Sequence, residues 1–96
     1  MVKHIVMFKL AEKNAGNLEK AVNALKSLED NIEELRFLEV GVDYQGSERS
    51  YDIVLTTHFD ARKDLEIYRD HKNHKPVAKI MRELCSNSAV VDYEVP

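Results

Sequence analysis

The stretch VKHIVMFKL, residues 2–10, predicts a β-strand with apolar side chains on both of its faces. Alternate side chains of a strand point to opposite sides of the sheet. One face therefore carries Val2, His4, Val6, Phe8 and Leu10, and the other carries Lys3, Ile5, Met7 and Lys9. Because a sheet face that carries apolar side chains is normally buried, we expect both sides of this strand to be covered.

Outward from this strand, the spacing of apolar residues predicts the element order β-α-β-β-α-β. The first predicted helix runs from the N-cap candidate Asn14 to Ile32. Three further strands are predicted at Arg36–Tyr44, Tyr51–Phe59 and Ala89–Val95. A second helical region extends from Asp60 to Leu84, with a break at Arg69–Lys75 and a restart at Pro76. This order is typical of an α+β, ferredoxin-like fold, in which a four-stranded antiparallel sheet carries helices on one face.

The size and charge of the chain exclude several classes of protein. Its 96 residues predict a single domain, residues 1–96, and a domain this small buries little surface unless a second copy covers it. With 17 acidic and 14 basic residues and no basic stripe, nucleic acid is not an expected partner. The longest uncharged apolar run, Ile5–Phe8, is far shorter than the roughly 20 residues that cross a membrane. The single cysteine, Cys85, and the lack of a signal-like segment favour a cytoplasmic protein.

Sequence motifs for the common cofactors are also missing. The chain has no phosphate-binding loop, no dinucleotide fingerprint and no serine-hydrolase elbow, so we predict no nucleotide cofactor. His4, His71 and His74 with Asp52 could in principle hold a metal, but none of the helix-borne zinc spacings is present. We therefore predict neither a metal nor another cofactor.

Four segments together resemble a known family. They are Val2–Leu10, then YDIVL at 51–55 with Phe59 and Asp60, then Leu65, Tyr68, His71 and His74, and finally VDYE at 91–94. These segments resemble the stress-responsive α/β-barrel (Dabb) proteins over essentially the whole chain. The resemblance implies a homodimer in which two sheets pack into one dimeric α/β barrel, which would cover the second face of the sheet.

One plant branch of that family, the olivetolic acid cyclase type, folds a linear polyketide by acid–base chemistry. Its histidine on the first strand is matched by His4, and its tyrosine and histidine near the second helix are matched by Tyr68 and His74. The resemblance thus implies His4, Tyr68 and His74 as catalytic residues. The branch has a histidine where this chain has Asp52, and the family's common histidine-proline pair is His71-Lys72 here.

The residues themselves suggest how such a site would be built. Because the first and third strands are neighbours in this topology, we expect His4 to pair with Asp52, whose carboxylate would fix the imidazole tautomer. Tyr68, His71 and His74 are three residues apart and would lie along one side of a helix. Asp52 and His71 are the predicted substrate-binding residues. The same residues also have a purely structural interpretation: His4 would be a core histidine held by a hydrogen bond, and Tyr68, His71 and His74 would lie at a solvated helix end.

Three functional classes remain open from the sequence. The chain could bind a small organic molecule in a pocket between sheet and helices, act as an acid–base enzyme resembling a polyketide cyclase, or serve as a structural or stress-protective dimer. A ligand requires a cavity of about 300 Å³ or more, so the volume of the pocket separates the third class from the others.

Overall fold

The computed structural model describes residues 1–96 and has the predicted ferredoxin-like fold. Its elements are β1 (Val2–Leu10), α1 (Ala15–Lys26), β2 (Phe37–Val42), β3 (Ile53–Phe59), α2 (Arg62–Asp70), α3 (Lys75–Leu84) and β4 (Cys85–Glu94). The four strands form one antiparallel sheet in the order β2-β3-β1-β4. In this order β1 is one of the two inner strands and lies between β3 and β4.

The core lies between one face of the sheet and the three helices. On β1 this inner face carries Val2, His4 and Leu10, which are all buried. Tyr68 of α2 and Leu25 of α1 are among the side chains that fill the layer from the helix side. The alternation predicted for β1 is therefore confirmed for the side that faces the helices.

Helix α1 is shorter than the sequence predicts. It ends at Lys26, although Leu28 and Ile32 are fully buried and continue its apolar spacing. Beyond the helix the backbone forms tight turns, and Asp30 takes a positive φ of 65° that an α-helix does not accommodate. The apolar spacing after Lys26 thus reflects burial in the core and not helical structure.

The later elements also differ from the prediction at their boundaries. Strand β2 ends at Val42 and β3 begins at Ile53, so both are shorter than predicted. The predicted break in the second helical region is confirmed, and it lies between Asp70, where α2 ends, and Lys75, where α3 begins. Strand β4 begins at Cys85, four residues before the predicted start at Ala89. Its polar start is held as a strand because it pairs with the end of β1.

The sheet face that points away from the helices, here called the outer face, carries a group of partly exposed apolar side chains. They are Ile5 and Met7 of β1, Phe37 of β2, Val54 of β3, and Ala89, Val91 and Tyr93 of β4. Val91 is 60% exposed and Tyr93 is 42% exposed. None of the three helices is long and apolar enough to cross a membrane.

Candidate functional site

A cavity of about 590 Å³ opens between the inner face of the sheet and the helices. It exceeds the roughly 300 Å³ that a small-molecule site needs. Most of its wall is apolar and comes from two strands, two helices and the turn after α1. The apolar lining residues are Val6 and Phe8 of β1, Leu55 of β3, Leu25 of α1, Leu28 just after α1, and Val77, Ala78 and Met81 of α3. The cavity is therefore large enough and apolar enough to hold a small organic molecule.

Three of the predicted site residues meet at one end of this cavity, which we call the polar end: His4, Tyr68 and His74. The ring centre of Tyr68 lies 6.1 Å from that of His4 and 4.5 Å from that of His74. The three residues come from β1, the last turn of α2 and the residue before α3. The fold thus brings together side chains that are separated by up to 70 positions in sequence.

Tyr68 is the most enclosed member of the polar end. Its side chain is 0% exposed, and its hydroxyl has no hydrogen-bond partner within the protein. Burial raises the pKa of Tyr68 above its ordinary value, since the phenolate would be poorly solvated. The residue therefore stays protonated and can donate a hydrogen bond.

His74 is held by the backbone of the preceding helix. Its Nδ1 lies 3.1 Å from the carbonyl oxygen of Arg69. A carbonyl only accepts, so Nδ1 carries the hydrogen and Nε2 of the neutral ring is an acceptor. Burial is the main cause that lowers the pKa of His74; the hydrogen bond to the Arg69 carbonyl opposes it, and the charges of His4, His71 and Arg69 add smaller lowering contributions. The imidazole is consequently neutral near pH 7.

The predicted pairing of His4 with Asp52 is wrong. In the antiparallel register Val2 lies opposite Phe59 and Phe8 opposite Ile53, so Asp52 lies at the far end of β1 from His4. His4 instead pairs through Nδ1 with the Asp92 carboxylate of β4. Asp52 accepts a hydrogen bond from the Leu10 amide at 2.8 Å and forms an ion pair with Lys13 at 3.3 Å.

The two predicted substrate-binding residues lie outside the cavity. Asp52 lies near the turn between β2 and β3, beside a separate, smaller hollow of about 320 Å³. His71 follows α2, and its Nδ1 accepts a hydrogen bond from the Asn73 amide at 3.0 Å. Neither residue is among those that line the 590 Å³ cavity.

Comparison with known proteins identifies the family. Residues 2–95 match the family described as Stress Responsive A/B Barrel Domain, Dabb. The chain belongs to the Dabb family. An uncharacterised protein of Streptomyces coelicolor is 28% identical over 98% of this chain and 99% of its own length.

Solved structures agree with this fold. A dimeric protein of unknown function from Bacteroides fragilis, with a ferredoxin-like fold, is 33% identical; the match covers 98% of this chain and 95% of that one with a TM-score of 0.83. A dimeric ferredoxin-like protein from Thermobifida fusca is 22% identical, with coverage of 98% and 90% and a TM-score of 0.87. Both structures share the whole fold described above.

Sequence reasoning missed three charged residues of this Dabb site. Asp92 accepts a hydrogen bond from Arg69 at 2.6 Å on the carboxylate oxygen that does not meet His4. Arg69 and Arg82 also line the cavity. Asp92 could have been found, because β4 also neighbours β1 in a ferredoxin-like sheet and its end lies beside the start of β1. The arginines carry no comparable signal, since exposed basic residues are common on helices.

Two further features bear on the chemistry of the site. Cys85 lines the cavity, and burial together with the nearby Asp52 carboxylate raises the pKa of its thiol, so it is not a ready nucleophile. No group of three or more histidine, cysteine and carboxylate side chains converges in a way that could hold a metal ion. The titratable side chains at the polar end are the imidazoles of His4 and His74 and the phenol of Tyr68.

Proposed function

We propose that this Dabb protein is a homodimer that binds a small organic molecule in the 590 Å³ cavity. The observation that carries the proposal is the buried Tyr68 hydroxyl without a partner. Leaving such a group unpaired costs about 1–3 kcal/mol. A carbonyl, hydroxyl or carboxylate oxygen of a ligand would accept its hydrogen bond, while the apolar wall would cover the rest of the molecule.

The dimer is supported by the outer face of the sheet. Its apolar side chains are exposed in a single chain, with Val91 at 60% and Met7 at 39%. Packing against the same face of a second copy would bury them in a two-fold symmetric contact. The Bacteroides fragilis relative, at 33% identity, is described as dimeric.

The binding proposal is tested by filling the cavity. Ala78 lines it from α3, so Ala78→Phe should occupy the space that a ligand needs. Native mass spectrometry of freshly purified wild-type protein should show a co-purified molecule, and Ala78→Phe should lose it. Ala15→Phe, at an exposed position of α1, is the matched control and should keep it.

A wild-type dimer that carries no molecule, and whose cavity resonances do not respond to a library of small apolar compounds, would contradict the binding proposal. The structural or stress-protective role would then be the better description. A folded Ala78→Phe that retains the molecule would place the ligand elsewhere.

Acid–base catalysis is the second candidate, and a specific observation favours it. A neutral imidazole, His74, lies beside a protonated phenol, Tyr68, with 4.5 Å between the ring centres. His74 Nε2 could accept a proton from a carbon next to a carbonyl group, while Tyr68 donates a hydrogen bond to the oxygen on which negative charge develops. His4, fixed by Asp92, would be the second base of the polar end.

Once a substrate is identified, His74→Ala and His4→Ala should each lower kcat by about 10²- to 10⁴-fold while the dimer remains folded. Tyr68→Phe, which retains the ring and removes only the hydroxyl, separates hydrogen bonding from packing. Full activity in both histidine variants would exclude the catalytic role and leave binding as the function.

A further inference from the structure

The cavity has an unusual charge pattern for an acidic chain. Acidic residues outnumber basic ones by 17 to 14 in the whole sequence, yet none of the 18 residues that line the cavity is an aspartate or a glutamate. The fully charged side chains that line it are two arginines, Arg69 and Arg82. The fully charged side chains of the lining itself are thus positive, although Asp92 pairs with Arg69 and the chain as a whole is negative.

The two arginines differ in how they are engaged. Arg69 donates a hydrogen bond to Asp92 at 2.6 Å, so its charge is already paired. Arg82 takes part in none of the protein's ion pairs and is exposed. It lies in the last turn of α3 and lines the exposed edge of the cavity, here called its mouth, together with Ser86, Asn87 and Ser88 at the start of β4. These three residues add hydroxyl and amide groups to the same rim.

Arg82 also lies at a defined distance from the polar end. His74 immediately precedes α3, and Arg82 is eight positions further along the chain. At a rise of about 1.5 Å per residue, the two positions are separated by about 12 Å along the helix axis. The wall of α3 between them is the apolar set Val77, Ala78 and Met81. The cavity therefore has a hydrogen-bonding end, an apolar middle and a cationic mouth.

From this arrangement we propose that the ligand is an organic carboxylate with an apolar body. The body fills the cavity, the carboxylate lies at the mouth against Arg82, and a second oxygen reaches Tyr68. A guanidinium group matches a carboxylate with two parallel hydrogen bonds, and the absence of acids in the lining avoids repulsion. This inference rests on the proposed binding function and adds the chemical class of the ligand. A basic residue in the last turn of a helix also interacts favourably with the helix dipole and so stabilises the fold. The test must therefore separate ligand binding by Arg82 from this stabilising role.

The test compares acids with neutral molecules of the same shape. Octanoate and 4-phenylbutanoate are paired with 1-octanol and 4-phenyl-1-butanol, and each is titrated into the isotope-labelled dimer at pH 7.5 while the amide resonances of the cavity residues are followed by NMR. We expect each acid to bind about 5- to 20-fold more tightly than its alcohol, the range between an exposed ion pair and a charge-assisted hydrogen bond.

Variants assign that preference to one side chain. Arg82→Gln should remove it and leave alcohol binding unchanged, and Arg82→Lys should keep part of it. Lys79→Gln removes the same charge from an exposed position of α3 outside the cavity and should bind like the wild type. A helix-dipole role for Arg82 would change stability in Arg82→Gln without changing the ratio of acid to alcohol affinities.

The outcomes distinguish this inference from the function on which it rests. Equal binding of acids and alcohols by the wild type would overturn the carboxylate class and leave the binding function intact. An acid preference that survives in Arg82→Gln would overturn the assignment to Arg82. Failure of all four compounds to perturb any cavity residue, together with the absence of a co-purified molecule, would overturn the binding function and this inference with it.

Discussion

The carboxylate of Asp92 holds two side chains of the site at once. One oxygen meets Nδ1 of His4 and the other accepts from Arg69 of α2. Since a carboxylate only accepts, the hydrogen of the neutral His4 ring lies on Nδ1, and Nε2 is left as the acceptor. Asp92, which the alternation of β4 marks only as a polar position, thus determines which nitrogen of His4 can accept a proton.

The tautomer of His4 provides the first prediction. Asp92→Asn can present an amide hydrogen to Nδ1, so the ring should shift toward the tautomer with its hydrogen on Nε2. Imidazole ¹⁵N chemical shifts, recorded in alkaline solution, distinguish the two forms. Asp52→Asn is the control and should leave the shifts of His4 unchanged, because Asp52 bonds Leu10 and Lys13 instead. A response of His4 to Asp52→Asn alone would contradict the structure.

The half-buried imidazole of His74 makes stability depend on pH. Burial lowers its pKa from the ordinary 6.5, so the unfolded chain binds a proton at a pH where the folded protein does not. The unfolding free energy should therefore be fully developed above about 6.5 and should fall as the pH is lowered through the folded value. Urea unfolding between pH 7.5 and 5 measures the slope.

His74→Gln should make that slope smaller. His58, whose pKa is lowered by partial burial and by the charge of Lys3, contributes in the same direction and is unchanged in the variant. Lys75→Gln removes a charge next to His74 but no group that titrates in this range, so it should retain the wild-type slope. An identical slope in His74→Gln and wild type would show that His74 does not titrate differently on folding.

At the scale of elements, α1 has a clear start signal. The side chain of Asn14 accepts a hydrogen bond from the Asn17 amide at 2.8 Å, which satisfies one of the free amides of the first turn. Asn14→Ala should lower the unfolding free energy by about 1 kcal/mol. Asn23→Ala, at an exposed interior position of the same helix, should instead raise it by a few tenths because alanine is the better helix former. Urea unfolding of both variants checks the two signs.

Element types could be predicted from the sequence, but several boundaries could not. The spacing of Leu28 and Ile32 indicates that they are buried, and a buried turn satisfies the same spacing as a helix. Cys85 begins β4 because pairing with β1 holds a polar segment in the sheet, which no local propensity encodes. Local pattern thus determines which residues are buried, while tertiary pairing determines where elements begin and end.

The site was predictable to the same extent. His4, Tyr68 and His74 do meet at one end of the cavity. The partner of His4 was not predicted correctly, because an antiparallel pair brings the start of one strand to the end of the other, and Asp52 precedes its strand. The cavity itself, with Arg82 at its mouth, depends on how α3 packs above the sheet and has no signature in the sequence.

At the scale of the whole molecule, the outer face provides the last prediction. Light scattering at micromolar concentration should give about twice 11.1 kDa. Val91→Asp places a charge on the outer face and should produce monomers or destabilise the protein. Val90→Asp makes the same change one residue away, on the inner face at the rim of the cavity, and should remain dimeric. A wild-type monomer that unfolds cooperatively would contradict the dimer.

The sheet order also has a consequence for how the chain acquires its structure. The longest ladder joins β1 to β4, from Val2 opposite Glu94 to Leu10 opposite Cys85. Contacts between residues so distant in sequence require a large loop to close, which slows folding relative to helical proteins of the same size. During synthesis on a ribosome, β1 emerges well before its partner β4. Until β4 is available, one edge of β1 is unpaired, and its apolar side chains can contact other nascent chains and aggregate. The rate of synthesis should therefore influence the yield of native protein.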